Sequence, residues 1–163
     1  MTPEGPQVEI EGAITAEGLE NLKAELAELE TEGRRTMAAR ILAARDLGDL
    51  KENAEYHIAK EDQAHLETRI LRLTQRLREA HVVEAPVGAT DTVVFGGTVT
   101  VADQESEKQM TYTIVGPTEA DMAAGKLSAE SPVAQALLGA RVGEVATVTT
   151  PRGERRLRVE KLG

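Results

Sequence analysis

Two helical runs that meet at a glycine limit the fold of this chain more than any other feature. Residues 15–80 contain no proline, and their apolar residues recur at alternating spacings of three and four on either side of Gly48. The pattern loosens at Gly33 and resumes at Met37. This pattern predicts an antiparallel coiled-coil hairpin of two helices. Each helix would have about 30 residues and a length of about 45 Å. The predicted seams are Leu19, Leu22, Leu26, Leu29, Met37, Ile41 and Ala44, and then Tyr56, Ala59, Gln63, Leu66, Ile70, Leu73, Leu77 and Ala80.

So thin a hairpin has little core of its own, which suggests a probe that reaches into a partner. An intramolecular spacer or a dimerising coiled coil fits the pattern as well.

The hydrophobic period changes to two after residue 80, which indicates strands. Ser131 and Pro132 are suited to the N-cap and first position of a short helix, and Gly96–Gly97 to a bend or bulge. The fold class is therefore α+β, with a coiled-coil hairpin over residues 1–80 and a small antiparallel β domain with a short helix over 81–163. The predicted strands are HVVEA, TVVFGGTVTVAD, QMTYTIVG, VGEVATVTT and RRLRVEKL, and TEADMAAGKL and SPVAQALLG are helix or turn candidates.

The composition excludes several classes of function. A net charge of −9 argues against general affinity for nucleic acid phosphates, and the absence of cysteine excludes disulfide scaffolds and thiolate metal sites. The N-terminus lacks the features of a signal peptide, and no apolar run reaches the roughly 20 residues of a membrane span. We therefore expect a cytoplasmic protein that meets nucleic acid only locally or through a partner. Composition does not determine the oligomeric state, for which we expect a monomer.

The bend between the helices, residues 46–55, is acidic, and helix capping is one explanation. Gly48 suits a left-handed stop of the first helix, and Asp49 and Glu52 have the spacing of a capping box for the second. Glu55 then complements the helix dipole. The other explanation is functional. Asp49 and Glu52 are too few to enclose Mg²⁺, which takes about six oxygens, but they could complete a metal site that a partner half-supplies.

Two long motifs resemble the GreA/GreB family of bacterial transcript cleavage factors. ARDLGDLKENAEYHIAKEDQ at 44–63 resembles the family's hairpin signature, and SAESPVAQALLGARVGE at 128–144 resembles its C-terminal motif. Residues 94–101 echo a third segment. The resemblance spans nearly the whole chain except an N-terminal extension of about ten residues, and the low positive charge is closer to the GreA branch than to the GreB branch.

The resemblance implies a function for the hairpin. In this family the hairpin enters the secondary channel of bacterial RNA polymerase and reaches a backtracked nascent RNA. Asp49 and Glu52 match the two tip carboxylates, which would help to hold a Mg²⁺ ion shared with the polymerase active site and orient a water for attack on the RNA. The polymerase would then be the nuclease, this chain its stimulator rather than an enzyme, and DNA would be met only through the elongation complex.

The resemblance also implies roles outside the tip. The C-terminal half would be an FKBP-like domain that docks on the polymerase, through Glu130, Ser131 and Pro132; the alternative is that these residues only start a helix. Family members use basic hairpin residues to guide RNA, although such residues can equally form solvated helix surface. The candidates here are Arg34, Arg35, Arg40 and Arg45. The three histidines lack a close pair and are not predicted to bind metal.

Two other functions remain open. A relative that binds the channel without supporting cleavage would carry an altered tip, and the intact GDLKENAEY at 48–56 argues against it. A coiled-coil adaptor or chaperone would need neither motif. Transcript cleavage by a stalled elongation complex separates the three hypotheses.

Overall fold

The computed structural model describes residues 10–88 and 90–163. The predicted N-terminal extension therefore lies almost wholly outside the described residues. The chain divides into two compact units: Glu20–Glu79, and the residues up to Leu19 together with Ala80–Gly163. The first unit is helical and the second is built around a sheet, so the α+β class is confirmed.

The helical unit is an antiparallel hairpin whose second arm is one long helix. Its buried side chains include Leu22, Leu26, Ala59, Ile70 and Leu73, which all belong to the predicted seams. The coiled-coil hairpin is therefore confirmed, and burial of these apolar side chains stabilises it. The helices are α1 (Ala16–Glu28), a π-helical turn (Leu29–Gly33), α2 (Arg34–Arg45) and α3 (Ala54–Glu79).

The π-helical turn explains why the apolar pattern of the first arm loosens. Continuing the spacing beyond Leu29 would bring Thr36 and Arg40 to the seam, but both are exposed. Met37 and Ile41, each one residue later, are half-buried instead. A π-helical turn accommodates an additional residue within a helix, which is the offset that the sequence requires.

The second unit is built from seven strands in the described residues. They are β1 (Ala13–Ile14), β2 (His81–Val82), β3 (Thr98–Asp103), β4 (Gln109–Val115), β5 (Lys126–Ser128), β6 (Val145–Thr150) and β7 (Gly153–Leu162). Five of them form one sheet with the strand order β5-β4-β3-β7-β6. All neighbours in it are antiparallel except the short edge strand β5, which pairs in parallel with β4. A separate parallel pair joins β1 to β2. A short helix, α4 (Pro132–Leu137), follows β5.

The core of this unit lies on one face of the sheet. Side chains of β3 alternate between half-buried and buried, as a strand with one covered face requires. Leu137 of α4 is fully buried in the same cluster as Ile114 and Val159. The short helix therefore covers the sheet, and of the residues just before it Ala129 is buried whereas Glu130 is exposed.

Several predicted strand boundaries are wrong. Residues 92–97 form bends and a turn rather than the start of a strand, and Gly96 has a φ of 79°, a value that favours glycine. The HVVEA strand shrinks to β2, and the sequence pattern gave no sign of β1 or β5. The TEADMAAGKL candidate contributes a short 3₁₀ turn, Met122–Ala124, and then β5.

Candidate functional site

The acidic bend is an exposed loop between α2 and α3. This tip loop comprises residues 46–53. Helix α2 ends at Arg45, and the Asp46 N–H donates to the Leu42 carbonyl at 3.3 Å. Gly48 follows with a φ of 140°, which only glycine adopts without strain. This glycine lies two residues beyond the cap of α2, so it bends the loop instead of closing the helix in the left-handed form that we predicted.

Asp49 and Glu52 are both exposed on this loop. The Asp49 Oδ1 atom accepts the Lys51 N–H at 3.0 Å, which forms a local turn within the loop. Helix α3 begins only at Ala54. The predicted capping of the second helix by Asp49 and Glu52 is therefore wrong, because both residues precede the helix and Asn53 takes the capping position. Glu55 does lie in the first turn of α3, as predicted.

Asn53 is the residue of this site that the sequence interpretation missed. Its Oδ1 atom accepts the Tyr56 N–H at 3.1 Å, and its Nδ2 atom donates to the Ala44 carbonyl at 2.5 Å. Asparagine is as good an N-cap as aspartate, so this residue type was a visible signal. The capping-box spacing that starts at Asp49 obscured it.

The exposed position of the two carboxylates leaves their oxygens available to a ligand. Within residues 10–88 and 90–163, neither Asp49 nor Glu52 forms an ion pair. The same residues hold no group of three or more His, Cys, Asp or Glu side chains arranged to bind a metal ion. Carboxylate oxygens are suitable ligands for Mg²⁺, and two of these groups occupy only part of its coordination shell.

The predicted RNA-contacting arginines differ in their surroundings. Arg45 is exposed at the end of α2 and forms no ion pair within the described part of the chain. The other three each contact an acidic residue: Arg34 with Glu67, Arg35 with Glu32, and Arg40 with Asp62. Two of these ion pairs join α2 to α3, so their arginines also hold the hairpin together.

The predicted docking segment surrounds the start of α4. The Ser131 Oγ atom accepts the Ala134 N–H at 3.2 Å and donates to the Ser128 carbonyl at 2.7 Å. Ser131 is the N-cap and Pro132 the first helical residue, both as predicted. Glu130 and Pro132 are exposed, so they can contact a partner, whereas the Ser131 hydroxyl is engaged within the fold.

The histidines are dispersed. The His57 Nε2 atom lies 3.3 Å from the Lys51 carbonyl, which links α3 to the tip loop. His65 lies 3.8 Å from Glu61 on α3, and His81 belongs to β2.

Comparison with known proteins matches both units of the chain. A family model described as "Transcription elongation factor, GreA/GreB, C-term" matches residues 88–163, and one described as "Transcription elongation factor, N-terminal" matches residues 13–82. A protein named transcription elongation factor GreA from Thioalkalivibrio sulfidiphilus is 46% identical over 143 residues, which are 87% of this chain and 90% of that protein. One of the same name from Listeria welshimeri is 42% identical over 149 residues, 91% of this chain and 93% of that protein.

Solved structures give a further likeness. The crystal structure of GreA factor homolog 1 of Thermus thermophilus has 29% sequence identity and a TM-score of 0.42, and the match covers 94% of this chain and 99% of that chain. A GreA/GreB elongation factor from Nitrosomonas europaea has 21% identity and a TM-score of 0.40, with 94% of this chain and 98% of that chain covered.

No helix in the described part of the chain is long and apolar enough to cross a membrane.

Proposed function

The chain belongs to the GreA/GreB family of transcription elongation factors, and from this premise we propose that it stimulates cleavage of backtracked nascent RNA by bacterial RNA polymerase. The observation that carries the proposal is the tip loop at the end of a helical hairpin, where Asp49 and Glu52 are exposed and form no ion pair with any described residue. Release of the 3′ fragment would return the RNA end to the active site and restart elongation.

The hairpin has the dimensions of a probe. Helix α3 alone has 26 residues, which corresponds to about 39 Å at a rise of about 1.5 Å per residue. Ion pairs between the arms, such as Arg40 with Asp62 at 2.6 Å, favour a fixed pairing of the two helices. A long, narrow hairpin with its carboxylates at the bend fits entry into a channel that leads to a catalytic centre.

The two carboxylates would act as ligands rather than as an independent catalytic site. A Mg²⁺ ion shared with the polymerase would activate a water and neutralise charge on the RNA phosphate. Asp49 and Glu52 fit this role, because both carboxylates are exposed and neither forms an ion pair with a described residue, while the remaining ligands would come from the polymerase and water. The net charge of −9 repels free RNA, so these residues act only in the assembled complex.

This chain is therefore a stimulator, and the nuclease is the polymerase. Glu130 and Pro132, exposed beside the start of α4, would contact the polymerase outside the active centre. We place the protein in the cytoplasm as a monomer, with RNA polymerase as its partner and with RNA and DNA contacted through the elongation complex.

A cleavage assay on a defined backtracked elongation complex tests the proposal. Adding the protein should shorten the RNA 3′ end, and Asp49→Asn or Glu52→Gln should abolish most of that stimulation at saturating concentration. Asp46→Asn is the matched control, because it removes one negative charge from the same exposed loop. Equal loss in all three variants would indicate a general charge effect, and inhibition by the wild-type protein would favour a channel-binding inhibitor.

A further inference from the structure

Asn53 links the two arms of the hairpin at the base of the tip loop. Its side-chain oxygen holds the first turn of α3 through the Tyr56 N–H, and its side-chain nitrogen holds the last turn of α2 through the Ala44 carbonyl. Asn53 is half-buried and Ala44 is buried, unlike the exposed residues 45–52 between them. The bridge is therefore the covered base of an otherwise exposed loop.

The two partners of Asn53 call for one side chain that both accepts and donates a hydrogen bond, which an amide does from two separate atoms. The Tyr56 N–H is a donor and needs an acceptor, whereas the Ala44 carbonyl is an acceptor and needs a donor. Ala44 lies at the C-terminal end of α2, where carbonyls lack partners within the helix. It also accepts the Leu47 N–H at 3.2 Å, so both of its lone pairs are used.

The bridge lies next to the carboxylates of the proposed function. Glu52 directly precedes Asn53, and Asp49 is four residues before it on the same loop. Each hydrogen bond of Asn53 ends on the backbone of a different helix, so the path of the loop is restrained at its base. Among the described residues, this bond to Ala44 is the side-chain hydrogen bond that joins the end of α2 to the start of α3.

We propose that Asn53 is a positioning residue: by joining the end of α2 to the start of α3, it holds Asp49 and Glu52 in the arrangement that completes the polymerase metal site. This inference rests on the proposed function. Asn53 does not contact the metal or the RNA in this mechanism. It acts through the geometry of the loop. It therefore contributes to the cleavage rate at saturating factor concentration and not to the affinity for the polymerase.

Two substitutions separate positioning from helix capping. Asn53→Ser and Asn53→Asp both keep an oxygen that can accept the Tyr56 N–H, since serine and aspartate are good N-caps. Aspartate has no N–H for the Ala44 carbonyl. The single O–H of serine lies one bond closer to the backbone than the Asn53 Nδ2 atom does, so one hydroxyl cannot take the places of both amide atoms. Because serine is neutral and aspartate is charged, a shared effect cannot arise from added charge. Asn53→Ala removes both bonds and serves as the reference for a lost cap.

The experiment uses the full chain with a backtracked elongation complex. It measures the maximal cleavage rate, the factor concentration for half-maximal cleavage, and the helix content by circular dichroism. We expect Asn53→Ser and Asn53→Asp to keep helix content and half-maximal concentration within about twofold. Their maximal rate should fall by on the order of 10- to 100-fold, because a displacement of about 1 Å can cost about 100-fold.

Three results would overturn the inference. The first is a maximal cleavage rate equal to that of the wild type in both Asn53→Ser and Asn53→Asp. The second is a loss of cleavage rate that runs in proportion to a loss of helix content. The third is the absence of any stimulation by the wild-type protein, which would also refute the proposed function. The first two leave wild-type stimulation intact, so a failure of this inference is distinguishable from a failure of the proposed function.

Discussion

Arg34 holds Glu67 with both arms of its guanidinium group, through Nε and Nη2 at 3.0 Å each, and so joins α2 to α3. This hydrogen bonding raises the pKa of Arg34 and lowers the pKa of Glu67. A planar fork on a carboxylate fixes orientation as well as distance. Arg34 is therefore engaged within the hairpin and is less available for the predicted contact with RNA.

Arg45 is the better candidate for contact with extruded RNA. We expect Arg45→Gln to reduce cross-linking between the hairpin and the RNA 3′ segment more than Arg34→Gln does, because Arg45 is exposed without an ion pair in the described residues. Removing one phosphate contact should also lower the salt dependence of RNA binding: the slope of log Kd against log salt concentration should fall by about one. Glu67→Gln is the control: it releases Arg34 and should not decrease cross-linking. Equal losses for Arg34→Gln and Arg45→Gln would contradict this view.

The carboxylate of Asp103 should make the stability of the sheet unit depend on pH. The Glu105 N–H, then Arg155, then the Ser106 N–H hold the pKa of Asp103 below its usual value. A lowered folded pKa contributes stability that is complete above the unfolded value of about 3.9 and is lost as pH falls through the folded pKa. Urea unfolding between pH 2 and about pH 5 measures this loss.

Asp103→Asn is the corresponding test. It keeps an oxygen for the two backbone N–H groups but removes the titrating charge and the ion pair with Arg155. The variant should be less stable at neutral pH and should lose less stability on acidification than the wild type does. An unchanged acid profile would show that Asp103 does not control it.

Gly116 and Gly33 should respond oppositely to alanine. A Cβ atom at Gly116 would lie 2.7 Å from the Ala13 carbonyl oxygen, which is backbone and cannot turn away. Gly116→Ala should therefore cost about 1–3 kcal/mol. Gly33 has a helical φ of −60°, and the nearest neighbour of an added Cβ would be Leu66 Cδ1 at 3.4 Å, so Gly33→Ala should be neutral or stabilise by up to about 1 kcal/mol. Chemical denaturation of both variants checks the pair, and equal destabilisation would contradict it.

Docking and folding can be separated at the start of α4. Ser131→Ala removes the cap of that helix and should lower stability by about 1 kcal/mol. Glu130→Lys reverses a charge at an exposed position while leaving the cap in place. We expect Glu130→Lys to raise the factor concentration for half-maximal cleavage without changing the rate at saturation. A lower saturating rate would show that Glu130 does more than bind.

The large features of the fold could be predicted because they repeat. A seam from Leu22 to Leu73 and an alternation along β3 each rest on many residues, so one exception does not hide them. The π-helical turn appeared in the sequence only as a loosening at Gly33. Strands β1 and β5 have two and three residues, too short for any period to appear, and both pair in parallel with partners that local sequence does not indicate.

The tip was harder to predict, since its residues suit several local roles. Aspartate and asparagine are equally good helix caps, so the choice between Asp49 and Asn53 could not come from propensity. The contact that distinguishes them is the bond from Asn53 to Ala44, nine residues earlier on the other arm. The sequence did predict the place of Asp49 and Glu52 at the bend between the helices, where both are exposed.

The central claim is that Asp49 and Glu52 supply ligands to a Mg²⁺ ion shared with the polymerase. The most direct measurement is a Mg²⁺ titration of RNA cleavage by a backtracked complex without factor, with wild-type protein, and with Asp49→Asn. Asparagine keeps the size of the side chain and an oxygen for the Lys51 N–H, and it removes only the charge. We predict that wild-type protein lowers the Mg²⁺ concentration for half-maximal cleavage and that Asp49→Asn lowers it much less. A Mg²⁺ requirement that is unchanged by the wild-type protein, or lowered equally by Asp49→Asn, would contradict the claim.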